Sequence, residues 1–405
     1  MHPLHLSYAL VGVLAVLLAF WSSAIRRAPV SEPLLALLLG VLVGPVSGLI
    51  DPSHHDTTDL LREASRILLA ISLMAVALRF PATGYLTVAR PVGVLLTLGM
   101  VGMAVVSAGL AWLLLGLPVA LAVLLGVCLT PTDPVLASSV VSGTPAEQTL
   151  PVRLRQVISG ESGINDGLAY LLVALALIAA AGRPAGQQVA EAAWGVGGAV
   201  LVGVAVGCLA GWAVRAAEAR EQVDQGSLLV FAVVLGVAAL GVARVAGTDA
   251  ILAVFVTGLA YNRMIGRRSR ASEQQLDDAL TRYLVLPVFF LLGLVVPWRQ
   301  WLELGWPVVA FPVAVLLLRR LPVVLALRPA LGMSWRDTVF LGWFGPIGVS
   351  ALFYLTYSYA EGATDSRLWA AGTLVIAAST LVHGVTATAG RRWYSSATSR
   401  GVGGR

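Results

Sequence analysis

The stretch LTPTDPVLASSVVSGT, residues 129–144, follows an apolar run and sets Asp133 between Pro131 and Pro134, where a lipid-spanning helix would otherwise continue. Each proline removes a backbone donor and clashes with the preceding turn, so the helix is interrupted there. At membrane depth such a break is tolerated only where it is buried in protein or lines a watery cavity. The carbonyls and half-helix ends that it frees are oxygen ligands and fixed partial charges suited to an ion.

Composition places that stretch in a membrane. The chain has 405 residues, 58% of them hydrophobic and only 12% charged, with a mean hydropathy of +0.85. Apolar stretches long enough to cross a bilayer recur from end to end, about thirteen of them at roughly 20 residues each. They lie near 5–25, 33–50, 64–80, 91–116, 118–142, 157–181, 189–215, 226–246, 249–263, 280–297, 306–327, 336–360 and 367–388. The first run lacks a basic n-region and precedes Arg26-Arg27, so it reads as a retained span and not a cleaved signal. The expected fold class is an all-α polytopic membrane protein with no separate soluble domain.

A net charge of +6 raises the question of nucleic acid, but the arginines sit in short loops between spans. Arg26/Arg27, Arg153/Arg155, Arg215/Arg220, NRMIGRRSR (262–270) and the tail GRRWYSSATSRGVGGR (390–405) fall on one side. DPSHHDTTD (51–59), PWRQWLELGWP (297–307) and YAEGATDSR (359–367) fall on the other. The arginine-rich side is cytoplasmic. That bias predicts an outside N-terminus and a cytoplasmic C-terminus and argues against nucleic acid as a partner, while the lack of a GxxxxGK[ST] loop argues against nucleotide. Cys128 and Cys208 both fall within spans and read as small core residues.

A second break is expected in GWFGPIGVSALF (342–353), where Gly342, Gly345, Pro346 and Gly348 interrupt an apolar stretch. Two interrupted spans in corresponding places of two halves point to an inverted repeat with its site at the midplane. The competing reading is that Pro and Gly are simply common in membrane helices.

Directly after the first break, SGESGINDG (159–167) brings Glu161, Asn165 and Asp166 into an apolar helix. Acids at that depth are costly and are functional candidates by default. Glu161 and Asn165 share one face, Ser162 and Asp166 the adjacent one. The first face suits an arginine, and Arg319 and Arg320 in LRRLP (318–322) are deep enough to supply it. The bland alternative for Arg320 is a helix-end arginine reaching back to water. The second face offers a carboxylate and a hydroxyl, hard oxygens for Na⁺, Li⁺ or K⁺. A desolvated carboxylate favours its protonated form, so a proton and a metal cation compete for one seat, and that competition is sufficient for antiport. The seat is assigned to Asp166, with Asp133, Thr132 and Ser162 as further cation-binding residues; the alternative is a buried acid that only holds helices together.

The segment TPTDPVLASSVVSGTPAEQTLPVRLRQVISGESGINDG (130–167) resembles the monovalent cation–proton antiporters of the NhaP-like and Na⁺/H⁺-exchanger type. GTDAILAVF (247–255), LRRLPVVL (318–325) and GWFGPIGV (342–349) lean toward the fungal plasma-membrane sodium exchangers. The resemblance implies about thirteen spans in two inverted six-helix repeats, a homodimer, and a membrane transport domain over 1–390. It implies a mobile core near 91–181 and 306–388, a dimerisation scaffold near 5–80 and 189–297, and a short basic tail over 391–405. It places the ion- and proton-binding role on Asp166, beside Asn165, with Ser162 and Thr132 as ligands, Glu161 as a structural acid and Asp133 as the helix-breaking acid. No cofactor is implied beyond the transported ions.

Three departures stand out. Ile347 occupies the position where many relatives carry an arginine in the second break, so Arg319 or Arg320 serves alone. Arg79 stands near a position where relatives commonly carry an acid. Ala250 follows Asp249 where some fungal relatives have two acids, and Asp249 either tunes the cavity or caps the ninth helix. Gly203, Gly207 and Gly211 read as a close-packing stripe and Trp298, Trp301 and Trp306 as an interfacial belt. His54 and His55 read as an outer loop, and RRSRASEQQLDDALTR (267–282) as an amphipathic connector. The expected function is Na⁺ or Li⁺ exchange for H⁺ by alternating access, serving pH homeostasis and salt tolerance, with K⁺/H⁺ antiport as the alternative. A remoter one is an aspartyl enzyme using Asp133 and Asp166, against which no GxGD-type element or HExxH occurs; no GxxxxGK[ST] loop occurs either.

Overall fold

A computed structural model of the chain describes residues 3–20, 31–50, 54–181, 185–220, 225–265 and 283–402; Arg26, Arg27 and the 267–282 connector lie outside them. Every regular element among the described residues is helical. Leaving aside four short connecting helices, they are in chain order α1 (Pro3–Phe20), α2 (Glu32–Val46), α3 (His54–Leu78), α4 (Ala89–Leu115), α5a (Val119–Cys128), α5b (Pro134–Val141) and α6 (Val152–Ala181). There follow α7 (Ala185–Glu218), α8 (Gln225–Val245), α9 (Ala250–Met264), α10 (Tyr283–Leu294), α11a (Pro307–Leu318), α11b (Leu321–Ala326), α12a (Trp335–Trp343), α12b (Val349–Ala360) and α13 (Ser366–Val402). Stretches within α4, α7, α13 and the combined α11 are long and apolar enough to cross a bilayer; in lipid only a helix satisfies its own backbone along such a length.

Several boundaries differ from those read in the sequence. α3 begins at His54, so His54 and His55 open a helix and do not lie in a loop. The polar turns that follow are held helical by pairs three residues apart, Arg62–Asp59 at 2.9 Å and Arg66–Glu63 at 2.5 Å. At the other end, α13 continues through the basic segment expected as a tail. The Tyr394 hydroxyl donates to Asp337 Oδ1 at 2.5 Å and its ring meets Phe340 edge-on, which ties those turns to α12a. Cys128 is buried, but Cys208 is exposed on α7, contrary to its reading as a core residue. Of the tryptophans, Trp298 and Trp306 face outward, while Trp301 turns in and donates to Thr373 Oγ1 at 3.1 Å.

The glycine stripe of α7 seats α9. A methyl group added at Gly203 would meet the Ala253 carbonyl and Val256, one at Gly207 the Thr257 carbonyl and Ala260, and one at Gly211 the Met264 side chain. The stripe is thus a seam inside the protomer that lets two backbones approach closely. Through α9 it fixes Asp249, which opens that helix. Replacing Gly207 with valine forces these backbones apart and costs about 1–3 kcal/mol. A clearly lowered melting temperature in detergent is expected, and an unchanged one would refute the seam.

Candidate functional site

The two predicted breaks are present and they meet. α5 stops at Cys128 and resumes at Pro134; α12 stops at Trp343 and resumes at Val349. The Asp133 N–H donates to the Pro346 carbonyl at 2.9 Å, linking one unwound segment to the other. Asp133 Oδ1 accepts from the amides of Val135 (2.6 Å) and Leu136 (3.2 Å), and Oδ2 from the amide of Val349. One carboxylate therefore caps the N-termini of α5b and α12b, where the half-helix dipoles are positive. A side chain at Gly348 would run into that carboxylate, so the second break approaches this closely only with glycine there.

The opposite ends are served by Arg319. Its guanidinium donates to the carbonyls of Leu129 and Thr130 (3.0 Å) at the end of α5a, and to that of Gly345 (2.6 Å) beyond α12a. Arg320 turns the other way. It makes a two-pronged pair with Glu161, at 2.5 and 2.6 Å, and donates from Nε to the Leu341 carbonyl at 2.9 Å. Both members are buried, so Arg320 does not reach back to water. The two arginines themselves form the short interruption of α11.

α6 carries the remaining polar groups. Asn165 lies toward the first break, not toward an arginine: its Nδ2 donates to Thr132 Oγ1 at 2.6 Å, and its Oδ1 makes no hydrogen bond. The arginine is taken by Glu161 alone on that face, because the unwound backbone brings Thr132 within reach of the amide. Ser162 donates to the Ser159 carbonyl at 3.3 Å. Asp166 is fully buried, and neither carboxylate oxygen closes a hydrogen bond with the described residues. Asp249 caps α9 through Oδ1, accepting from Ile251 (2.8 Å) and Leu252 (3.3 Å), while its buried Oδ2 makes none. Arg79 donates to Ser159 Oγ at 3.1 Å, one turn before Ser162.

Three participants were not singled out in the sequence. Tyr354 on α12b donates its hydroxyl to the Asp166 carbonyl. Ser379 accepts from the Ile347 amide at 2.7 Å, and His383 Nε2 donates to the Trp343 carbonyl at 3.0 Å, so α13 braces the second break. The signal available was polar side chains four apart, at 350/354 and 379/383, in otherwise apolar helices. Taken together, the groups around Asp166 are carboxylate, amide and hydroxyl oxygens, donors matched to a hard cation.

Fold and site define a helical membrane protein in which two broken helices meet beside a buried carboxylate. The description "sodium/hydrogen exchanger, transmembrane" matches residues 12–390, and the chain belongs to that family. Na⁺/H⁺ antiporter 2 of Zygosaccharomyces rouxii is 33% identical over 371 residues, covering 86% of this chain and 45% of that protein. The Na⁺/H⁺ antiporter of Saccharomyces cerevisiae is 32% identical over 374 residues, covering 86% and 37%. The chain thus spans less than half the length of these two relatives. In fold it is similar to the sodium proton antiporter MjNhaP1 from Methanocaldococcus jannaschii, with a TM-score of 0.75 at 18% identity over 96% of this chain and 97% of that one.

Breaking the buried pair from one side strands a charge, so Glu161→Met or Arg320→Leu alone should destabilise by about 3–5 kcal/mol. The double variant should recover most of the loss in a thermal unfolding series. Additive losses would contradict a coupled pair.

Proposed function

We propose that the chain is a secondary active transporter, not an enzyme, that exchanges Na⁺ or Li⁺ for H⁺, with the two competing for Asp166. One observation carries this reading. Glu161 is matched by Arg320, Asp133 by two helix N-termini and Arg319 by helix carbonyls, yet the Asp166 carboxylate is buried with no hydrogen bond to either oxygen. A group left so costly in a tightly matched surround is one that exchanges partners. Membership of the sodium/hydrogen exchanger family supports the chemistry, and the names of the two fungal relatives favour Na⁺ over K⁺. K⁺/H⁺ exchange is the alternative that the ion series below separates.

In the proposed cycle, Asp166 crosses loaded either with a proton or with a cation held also by Thr132 and Ser162. Asp133 adds negative potential beside the seat while its oxygens hold the helix ends, and Asn165 positions Thr132. Glu161 with Arg320, and Arg319 at the breaks, keep the core rigid as it moves. The core comprises 91–181 and 306–388, and the scaffold 5–80 and 189–297 carries a homodimer contact. About thirteen spans in two inverted repeats, N-terminus outside and C-terminus cytoplasmic in the plasma membrane, complete the proposed topology. If Asp166 alone exchanges its proton, one proton per cation makes the cycle electroneutral; if Asp133 also titrates, the cycle is electrogenic.

Reconstituted in vesicles with an internal pH dye, the chain should alkalinise the lumen when Na⁺ or Li⁺ is added outside, and respond weakly to K⁺. Asp166→Asn should abolish that response while the protein still inserts. Normal exchange in that variant would refute the assignment.

A further inference from the structure

Ser350 lies in the first turn of α12b, fully buried, and its hydroxyl makes no hydrogen bond. That is unusual for a serine in an apolar helix, where the hydroxyl ordinarily bonds back to a carbonyl three or four residues earlier. Thr356, further along α12b, does so, donating to the carbonyls of Leu352 (3.0 Å) and Phe353 (2.8 Å). Ser350 has no such outlet. Four residues back is Pro346, whose carbonyl accepts the Asp133 amide, and the intervening backbone is the unwound break, not a helical turn. The break that creates the site therefore strands this hydroxyl.

Its direction is fixed by the next turn. Ser350 and Tyr354 are four apart and share a face of α12b. Tyr354 donates to the Asp166 carbonyl, so that face lies against α6 at Asp166. The Ser350 hydroxyl lies against the Asp166 carboxylate, outside the geometry of a closed hydrogen bond. Three buried oxygens, Asp166 Oδ1 and Oδ2 and Ser350 Oγ, thus converge from two helices with no closed hydrogen bond to the described residues.

Resting on the antiport reading above, we propose that Ser350 is a further ligand of the transported alkali cation, supplied by the second broken helix. A hydroxyl carries one donor and two acceptor lone pairs. It turns its proton toward the ionised carboxylate when the seat is empty and presents a lone pair when the cation arrives. The ion is then held from α6 and α12b together, across the junction of the two breaks, and not from α5 and α6 alone.

The test measures apparent KM for Na⁺ and Li⁺ by the pH-dye assay on the full chain in vesicles, with Ser350→Ala and Ser350→Cys. The thiol preserves the size of serine but is a soft donor, ill matched to an alkali cation. Both variants should raise the Na⁺ KM about tenfold, the scale of one lost hydrogen bond to a charge, with the maximal rate at saturating Na⁺ retained. Should the alanine variant fail to fold, the near-isosteric cysteine carries the comparison. A wild-type KM in Ser350→Cys overturns the proposal, because packing alone would then explain the residue. With Asp166→Asn inactive in the same experiment, the antiport reading stands despite that result. If the unmodified chain gives no pH response to Na⁺, Li⁺ or K⁺, the antiport reading itself fails and takes this one with it.

Discussion

Two helices broken at membrane depth expose four helix ends, and the structure depends on each like pair of ends meeting one opposite charge. Asp133 closes the two N-termini and Arg319 the two C-terminal sides. Backbone groups left without partners in hydrocarbon cost several kcal/mol each, so neither break would persist without these side chains. The arrangement is economical in another sense: because both charges are consumed by backbone, neither offers a loose charge to a passing ion. Among the described residues, the acid close by with neither carboxylate oxygen closed in a hydrogen bond is Asp166.

Adjacent arginines perform unlike tasks because α11 is interrupted between Leu318 and Leu321. Consecutive residues on any helix point about 100° apart, and the interruption lets each settle on a different neighbour. Arg319 reaches the crossing backbone; Arg320 reaches Glu161 on α6. The absence of an arginine within the second break, where Ile347 stands, is accommodated from α13. Ser379 takes the Ile347 amide, which the unwinding would otherwise strand, and His383 adds a second bond to the Trp343 carbonyl, which also accepts from the Gly345 amide. The rigidity of the site is thus assembled from five elements, each contributing one or two polar atoms to an apolar surround.

Much of this was legible in the residues themselves. Pro131, Pro134 and Pro346 dictate where helices cannot continue, because a ring in place of an N–H acts locally. The apolar lengths dictate helices, and a four-residue spacing assigns Glu161 and Asp166 to different faces of α6. The family motif is continuous along the chain, so it too could be read without coordinates. The extent of α3 and α13 was less legible: their polar turns are helical through ion pairs and through a tyrosine docked on another helix.

The sequence by itself therefore determined the class of fold, the positions of the breaks and the acid at their centre, since each rests on short-range covalent or helical geometry. Only the tertiary structure decided which arginine meets Glu161, that Asn165 turns to Thr132, and that Asp133 is a double cap. It alone brought Ser350 opposite Asp166, more than 180 residues away. These pairings join distant parts of the chain, and no periodicity along one helix encodes which face of another it will meet.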